Sequence, residues 1–130
     1  MHINDKRATH VTNKRFDNAT YTGELINGKR HGKGVQVWDD GAKYEGEWEA
    51  NSANGYGVFY HVDGDVYKGN WKDDKANGDG CYINKDGSSY SGNWWNDFQD
   101  GYGVEIWADK SMYKGGYKEG RKEGYGMSFM

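Results

Sequence analysis

A short basic run is the segment of this sequence best suited to bind a charged ligand. Its cationic residues are Lys29, Arg30, His31 and Lys33. Clustered cations attract anionic lipid head groups, so we take these four residues as candidate contacts to a phosphoinositide. The run does not have the spacing of a nucleotide phosphate loop, because Gly34 stands where Ser or Thr belongs. A plain hairpin loop is the favoured interpretation of its backbone.

Residue types that could support catalysis or metal binding do not form a recognisable pattern. The four histidines are His2, His10, His31 and His61. No Ser-His-Asp, paired-carboxylate or metal-ligand spacing accompanies them, and catalysis needs convergent groups with tuned pKa values. We interpret the single cysteine, Cys81, as a small buried hydrophobic residue. The sequence therefore predicts no catalytic residue, no metal and no cofactor.

A repeat with a period of 23 residues must position every other candidate. Its most regular element is Tyr-x-Gly, which occurs at Tyr21, Tyr44, Tyr67, Tyr90 and Tyr113. A fixed period of this length indicates stacked supersecondary units that cannot bury their apolar side chains alone. We expect five repeats over residues 21–130. Residues 1–20 form a polar segment that we expect to be partly flexible or a capping strand.

Aromatic side chains supply most of the apolar material and fall into two groups. The regular group, which recurs with the period, is Tyr44, Trp48, Tyr67, Trp71, Tyr90 and Trp94. We expect its members to hold neighbouring units together, and they could also line a groove for a peptide. The irregular group breaks the pattern and comprises Trp38, Trp95, Phe98 and Trp107. Rings that the repeat does not need are candidate partner contacts.

Alternation of residue types predicts that each unit is one β-hairpin. Within Tyr44–Trp48, the aromatic residues and Gly46 share one face of a strand and the glutamates share the other. A second strand follows at residues 57–60, after a polar loop of the kind seen at residues 26–31. Asp-Gly pairs such as Asp63-Gly64 then predict a tight turn.

Sterics explain why so many rings occur with so many glycines. A phenol or indole ring can lie flat over a neighbouring strand where that strand has no Cβ, and a ring in turn compensates for the glycine. One hairpin buries about three large side chains, at roughly 1.5 to 3 kcal/mol each, before its ordering entropy is subtracted. We therefore expect a single unit not to fold and a stack of units to fold.

Tyr44-Glu45-Gly46-Glu47-Trp48, followed by Gly55-Tyr56-Gly57 and Asp63-Gly64, resembles the MORN (membrane occupation and recognition nexus) repeat. The resemblance covers residues 21–130. It implies an all-β fold, in which consecutive antiparallel hairpins form one elongated single-layer sheet with a groove along one side. Related repeats accompany phosphatidylinositol phosphate kinases, so this chain could be part of a larger lipid kinase. Leu25 and Tyr117 replace the repeat tryptophan in the first and last units.

Charge limits the partners that we expect. The net charge is −3, with +2 on residues 1–20 and −5 on the repeats. This acidic balance argues against nucleic acid and against a broad lipid-binding strip. It leaves a single anionic phospholipid at the basic run as a candidate. The sequence shows no long apolar run and no signal-like start, so we expect a cytoplasmic protein, with a peripheral site at a membrane or the cytoskeleton as the alternative.

The sequence therefore predicts a non-catalytic repeat scaffold for protein–protein interaction. We expect a protein or peptide partner in the groove and self-association, as a dimer or other homo-oligomer, because an exposed sheet face and open edge strands are usually covered. The alternative is a phosphoinositide-binding or regulatory segment of a larger lipid kinase.

Overall fold

The computed structural model describes residues 8–129, and in these residues the chain forms one open antiparallel sheet. Eleven strands are ordered as in the sequence, and each pairs with its chain neighbours. The strands are β1 (Thr9–Phe16), β2 (Ala19–Ile26), β3 (Lys29–Trp38), β4 (Lys43–Glu49), β5 (Ser52–Tyr60), β6 (Val66–Lys72), β7 (Lys75–Ile83), β8 (Ser89–Trp95), β9 (Phe98–Ile106), β10 (Met112–Lys118) and β11 (Arg121–Phe129). The predicted all-β, single-layer hairpin architecture is confirmed.

Strand β1 lies before the first repeat and pairs with β2 through Phe16 and Ala19. Arg15, near its end, forms a 2.5 Å ion pair with Asp39, which lies in the turn after β3. The hydrogen bond from Arg15 holds the pKa of the Asp39 carboxyl below its usual range. The start of the predicted 1–20 segment, residues 1–7, lies outside the described residues.

The predicted polar loop within each unit is wrong in its extent. Lys29, Arg30 and His31 belong to β3, and only Asn27 and Gly28 form the turn, both with positive φ. Two-residue turns of this kind match the twist of the flanking strands. Residues 52–54 and 98–100, which occupy the equivalent places in the second and fourth units, likewise begin β5 and β9.

A bulge in the second strand of each hairpin explains why this segment reads as a loop. Trp48 pairs with Ala53 and Gly46 pairs with Gly57, so β5 spans more residues than β4 between the same two rungs. The extra residues interrupt the alternation of side chains. Gly55 lies within this bulge at a φ of 96°, a conformation that favours glycine. The Asp-Gly turns are placed as predicted, with Gly64 at a φ of 104°.

Glycines pair with glycines from β2 to β11, and the tyrosines lie on them. The row is Gly23, Gly34, Gly46, Gly57, Gly69, Gly80, Gly92, Gly103, Gly115 and Gly126. A Cβ added at Gly57 would overlap the phenol of Tyr44, closer than 3.0 Å to its hydroxyl oxygen and to two ring carbons. The Tyr44 hydroxyl donates to the carbonyl oxygen of Glu47 at 2.9 Å. The prediction that rings rest on bare backbone is therefore confirmed for the tyrosines.

The indoles behave differently from this prediction, because they stand edge-on to the tyrosines. Trp71 lies 5.1 Å from Tyr67 of its own unit and 5.4 Å from Tyr44 of the preceding unit, with interplanar angles of 85° and 87°. Its Nε1 donates to the Gly57 carbonyl oxygen at 3.1 Å. Trp48 and Trp94 repeat this bond to Gly34 and Gly80. Each such ring pair is worth about 0.5–1.5 kcal/mol beyond its burial, so the indoles join successive hairpins.

The core lies on one side of the sheet, which we call the aromatic face. Tyr21 and Tyr44 are almost fully buried there. By strand alternation the opposite, outer face carries Val37 and Tyr56, which are exposed. Cys81 also lies on the outer face, where it is only half-buried and accepts a hydrogen bond from the Ser91 hydroxyl at 3.2 Å. The interpretation of Cys81 as a buried core residue is therefore wrong.

We expect Gly57→Ala to destabilise the fold by about 3 kcal/mol, because the new methyl group overlaps the Tyr44 ring. The matched control is Gly28→Ala, where a Cβ meets no atom within 4 Å and only the positive φ of 77° is penalised, at about 1 kcal/mol. The free energy of unfolding in urea measures both effects. Equal losses in the two variants would show that the ring contact does not constrain the sheet.

Stability should fall at alkaline pH. Burial raises the pKa of Tyr90 to about 12 and also raises the pKa values of Tyr44 and Tyr67, whereas unfolded tyrosines ionise near pH 10. The contribution is complete below about pH 10 and is lost as the pH rises toward the folded-state pKa, because the unfolded chain releases these protons first. We expect the urea midpoint to decline above about pH 10, with tyrosinate absorbance appearing during unfolding. A midpoint independent of pH in this range would contradict the buried phenols.

Candidate functional site

A groove runs along the aromatic face across the first four repeats, and we call it the aromatic groove. Its three consecutive sections have volumes of about 360, 350 and 230 Å³. The first two sections share Phe59, Trp71 and Asp74, so they are continuous. Its lining includes Phe16, Asp17, Arg30, Gln36, Trp38, Trp48, Asn51, Ala53, Phe59, His61, Trp71, Asp74, Ala76, Tyr82, Trp94, Asp97 and Glu105.

Residues from the two-residue turns form one wall of the groove. Asp74 Oδ1 accepts a hydrogen bond from the Ala53 N–H at 2.7 Å, and the Asp74 N–H donates to the Ala53 carbonyl oxygen at 3.1 Å. Asp97 makes the same pair of bonds to Ala76. Asp and Asn tolerate the positive φ that this turn position requires. The turn therefore fixes each carboxylate beside the hairpin that precedes it.

The opposite wall consists of aromatic side chains near the ends of the second strands. The Phe59 ring lies 5.6 Å from Trp38 and 4.6 Å from His61, and His61 lies 5.7 Å from Tyr82. The Tyr82 hydroxyl donates to Asp65 Oδ2 at 2.7 Å. Burial raises the pKa of Tyr82 and the Asp65 carboxylate raises it further, so this phenol stays neutral.

Sequence reasoning missed Phe59 and Tyr82 as groove residues. They occupy the same place in successive units, which Gln36 and Glu105 occupy in the first and fourth. Phe59 pairs directly with Tyr44 across the sheet, so it shares the aromatic face. The register of the hairpin would have identified this position, but the bulge concealed that register in the sequence.

Arg30 is held in the groove by contacts with two aromatic rings and by hydrogen bonds to neighbouring side chains. Its guanidinium carbon lies 4.8 Å from the Trp48 ring and 5.0 Å from the Phe16 ring. It donates hydrogen bonds to Gln36 Oε1 and to Asn51 Oδ1 and the Asn51 carbonyl oxygen. Burial lowers the pKa of Arg30, and the nearby Asp74 carboxylate opposes that shift.

The four candidate lipid contacts do not share one surface. Arg30 lies on the aromatic face, whereas strand alternation places His31 and Lys33 on the outer face and Lys29 beside the turn. Across the strands, Lys33 faces Glu47 and His31 faces Glu24. The backbone therefore separates cations that are adjacent in the sequence.

The irregular aromatic residues also occupy two places. Trp38 and Trp107 lie on the aromatic face; Trp38 lines the groove, and Trp107 packs against the buried cluster around Tyr113. Trp95 and Phe98 pair with each other beside a turn and are 61% and 53% exposed. The regular rings form the packed layer on the glycine row, and all six also line the groove.

The charge of the groove is predominantly negative. Its acidic lining residues are Asp17, Asp74, Asp97 and Glu105. The arginine or lysine side chain that these lining sets contain is Arg30. Burial raises the pKa of Tyr67, and Asp97 adds to that shift. A groove with carboxylates along aromatic walls favours cationic and aromatic ligand groups.

Residues 8–129 contain no group of three or more His, Cys, Asp or Glu side chains arranged to hold a metal ion. In the same residues no helix is long and apolar enough to cross a membrane.

Comparison with known proteins gives a family match for the repeats. The family model described as MORN repeat matches residues 21–43, 44–66, 67–89, 90–112 and 113–128. No curated protein matches the chain significantly. The matched units begin at the five tyrosines that lie on the glycine row.

Proposed function

The chain belongs to the MORN repeat family, and we propose that it is a scaffold whose aromatic groove binds a segment of a partner protein. Repeats of this family mediate contacts with proteins or membranes and are generally non-catalytic. The observation that carries the proposal is the groove, which continues through several repeats and is lined by rings that the repeat pattern does not require. Trp38, Phe59 and Tyr82 are such rings.

The dimensions and chemistry of the groove support a peptide as its ligand. The two larger sections have volumes of about 360 and 350 Å³, near the lower end of the range for ligand pockets. Aromatic walls provide large apolar contacts at a low cost in side-chain entropy, as in peptide and protein interfaces. An elongated, continuous groove suits a chain segment better than a compact small molecule.

Charge favours a protein partner over a phosphoinositide. An anionic head group requires converging cations, whereas the groove carries several carboxylates and Arg30 already contacts Trp48 and Asn51. Lys33 faces Glu47 on the outer face. These arrangements support protein binding as the main function.

Self-association is the second part of the proposal, and the last described strand supports it. Tyr125, Met127 and Phe129 of β11 are 100%, 64% and 41% exposed. In the described residues β11 pairs with β10 along one edge. Exposed apolar side chains on a strand whose other edge pairs with no described residue favour pairing with a second copy.

Selection of displayed peptides tests the groove. Peptides selected on the wild-type chain should bind Trp38→Ala at least about tenfold more weakly, because a groove ring that anchors a ligand is typically worth more than 1 kcal/mol. Tyr102→Ala, which removes an exposed ring from the outer face, is the matched control and should bind like wild type. Failure to obtain peptides sensitive to Trp38→Ala would reject the groove as the binding surface.

Light scattering tests self-association. We expect the mass to rise from 14.8 kDa toward a multiple of that value as concentration increases, and Met127→Lys with Phe129→Lys should oppose the rise by placing charges on β11. The control is a pair of lysines at Val62 and Tyr102, which are exposed elsewhere. A constant monomer mass at all concentrations would exclude this part of the proposal.

A further inference from the structure

The tenth residue of each repeat differs in chemical type along the aromatic face. This position holds Arg30 in the first unit, Ala53 and Ala76 in the next two, Gln99 in the fourth and Lys122 in the fifth. The end units therefore supply a cation, and the second and third units supply a methyl group. The position lies on the aromatic face throughout, because its residues pair with Leu25, Trp48, Trp71, Trp94 and Tyr117.

Both end-unit cations lie over aromatic rings. Arg30 covers Trp48, which is only 5% exposed, at a distance of 4.8 Å. Lys122 Nζ lies 5.0 Å from the Trp107 and Tyr113 rings and 4.0 Å from Glu105 Oε1. Contacts of this kind are favourable because the ring face carries negative potential. In both end units, the tenth residue therefore places a cation on an aromatic ring.

The turn residue beside this position changes together with it. Where the tenth residue is Arg30, the neighbouring turn supplies the neutral Asn51, which accepts the Arg30 backbone N–H at 2.9 Å. Where it is Ala53, the equivalent bond is made by Asp74. Ala76 and Asp97 repeat the second combination. The turn beside Arg30 therefore carries an amide, and the turn beside each of the two alanines carries a carboxylate.

The second and third units therefore combine an alanine, a carboxylate and an indole at one point of the groove. Trp71 lies beside Ala53 and Asp74, and it is less buried than Trp48. Trp94 lies beside Ala76 and Asp97 in the next section of the groove. A carboxylate at an aromatic wall is stabilised when a cation also contacts that wall.

We infer that these two points bind cationic side chains, arginine or lysine, of the partner segment. The inference rests on the proposed function and specifies its ligand. The Tyr67 ring centroid lies 5.1 Å from Trp71 and 5.3 Å from Trp94, so the two indoles are separated by about 10 Å, two strand spacings. An extended polyproline II chain advances about 9.3 Å per turn of three residues. The ligand is an extended segment with two basic residues three positions apart.

Asp74→Asn and Asp97→Asn are the decisive variants. Asparagine keeps the acceptor for the backbone N–H, as Asn51 does in the same turn position at a φ of 74°. The matched control is Asp73→Asn, which removes one negative charge from the adjacent turn residue outside the groove lining. Each variant therefore preserves turn chemistry already present in this chain.

The probe is a proline-rich peptide with arginines three positions apart, and its control carries the neutral isostere citrulline at both positions. We expect the arginine peptide to bind, with Asp74→Asn and Asp97→Asn each weakening the affinity about fivefold, and Asp73→Asn changing it less than twofold. The citrulline peptide should bind at least about tenfold more weakly. Isothermal titration calorimetry measures each affinity.

Ala53→Arg provides a second readout. The introduced guanidinium should lie over Trp71 as Arg30 lies over Trp48, and it should weaken binding of the arginine peptide at least about tenfold. The Trp71 indole N–H resonance should shift when peptide binds wild type and should not shift further in this variant. If Ala53→Arg fails to fold, the asparagine variants still decide.

No binding of the arginine peptide, equal binding of the citrulline peptide, or equal effects of Asp74→Asn and Asp73→Asn would overturn the inference. Peptides from the selection experiment separate the two proposals. If they require Trp38 but lack basic residues and tolerate Asp74→Asn, the groove binds peptides without this cation preference. If none requires Trp38, the groove function itself fails.

Discussion

The contact between a phenol ring and a pair of glycines is the constraint on which this structure depends. Tyr44 lies over Gly46 and Gly57, which pair with each other across two strands. Because the sheet has one layer, this ring layer is its main core. The contact requires the tyrosine and both glycines in register, which explains why the repeat length does not vary. A side chain at either glycine would displace the ring and separate the hairpin from this ring layer.

The second constraint is that each hairpin is joined to the one before it. The indole of one unit bonds the glycine carbonyl of the preceding unit, as Trp71 does to Gly57. The turn residue of one unit bonds the backbone of the preceding unit, as Asp74 does to Ala53. These bonds act between neighbours, so stability accumulates along the chain as in other repeat proteins. The end units carry Leu25 and Tyr117 in the tryptophan position, and Tyr117 instead donates to Glu105 at 2.7 Å.

The sequence predicts features that depend on local pairing chemistry. The period, the hairpins, the Asp-Gly turns and the tyrosine–glycine contact follow from residue types at fixed spacing. Strand boundaries do not follow, because the bulge at Gly55 inserts residues that break the alternation. The same break conceals the face on which Arg30 lies. The groove residues Phe59 and Tyr82 could be found only after the register was known, since their position varies in residue type between units.

Some positions of the repeat hold the sheet and keep their residue type, whereas others contact the groove and vary between units. This division explains how the fold can retain a groove that is specific for its ligand. The tyrosines lie on the glycine row, and the indole N–H groups donate to glycine carbonyls, so both groups hold the sheet, while the ring faces of the indoles remain for contact with a ligand. Positions that contact the groove without holding the sheet, such as Phe59, can change without breaking the repeat. The turn position differs, because its backbone role needs only a side-chain acceptor. Asn51 and Asp74 meet that need equally, and the choice between amide and carboxylate therefore sets the charge of the groove one unit at a time.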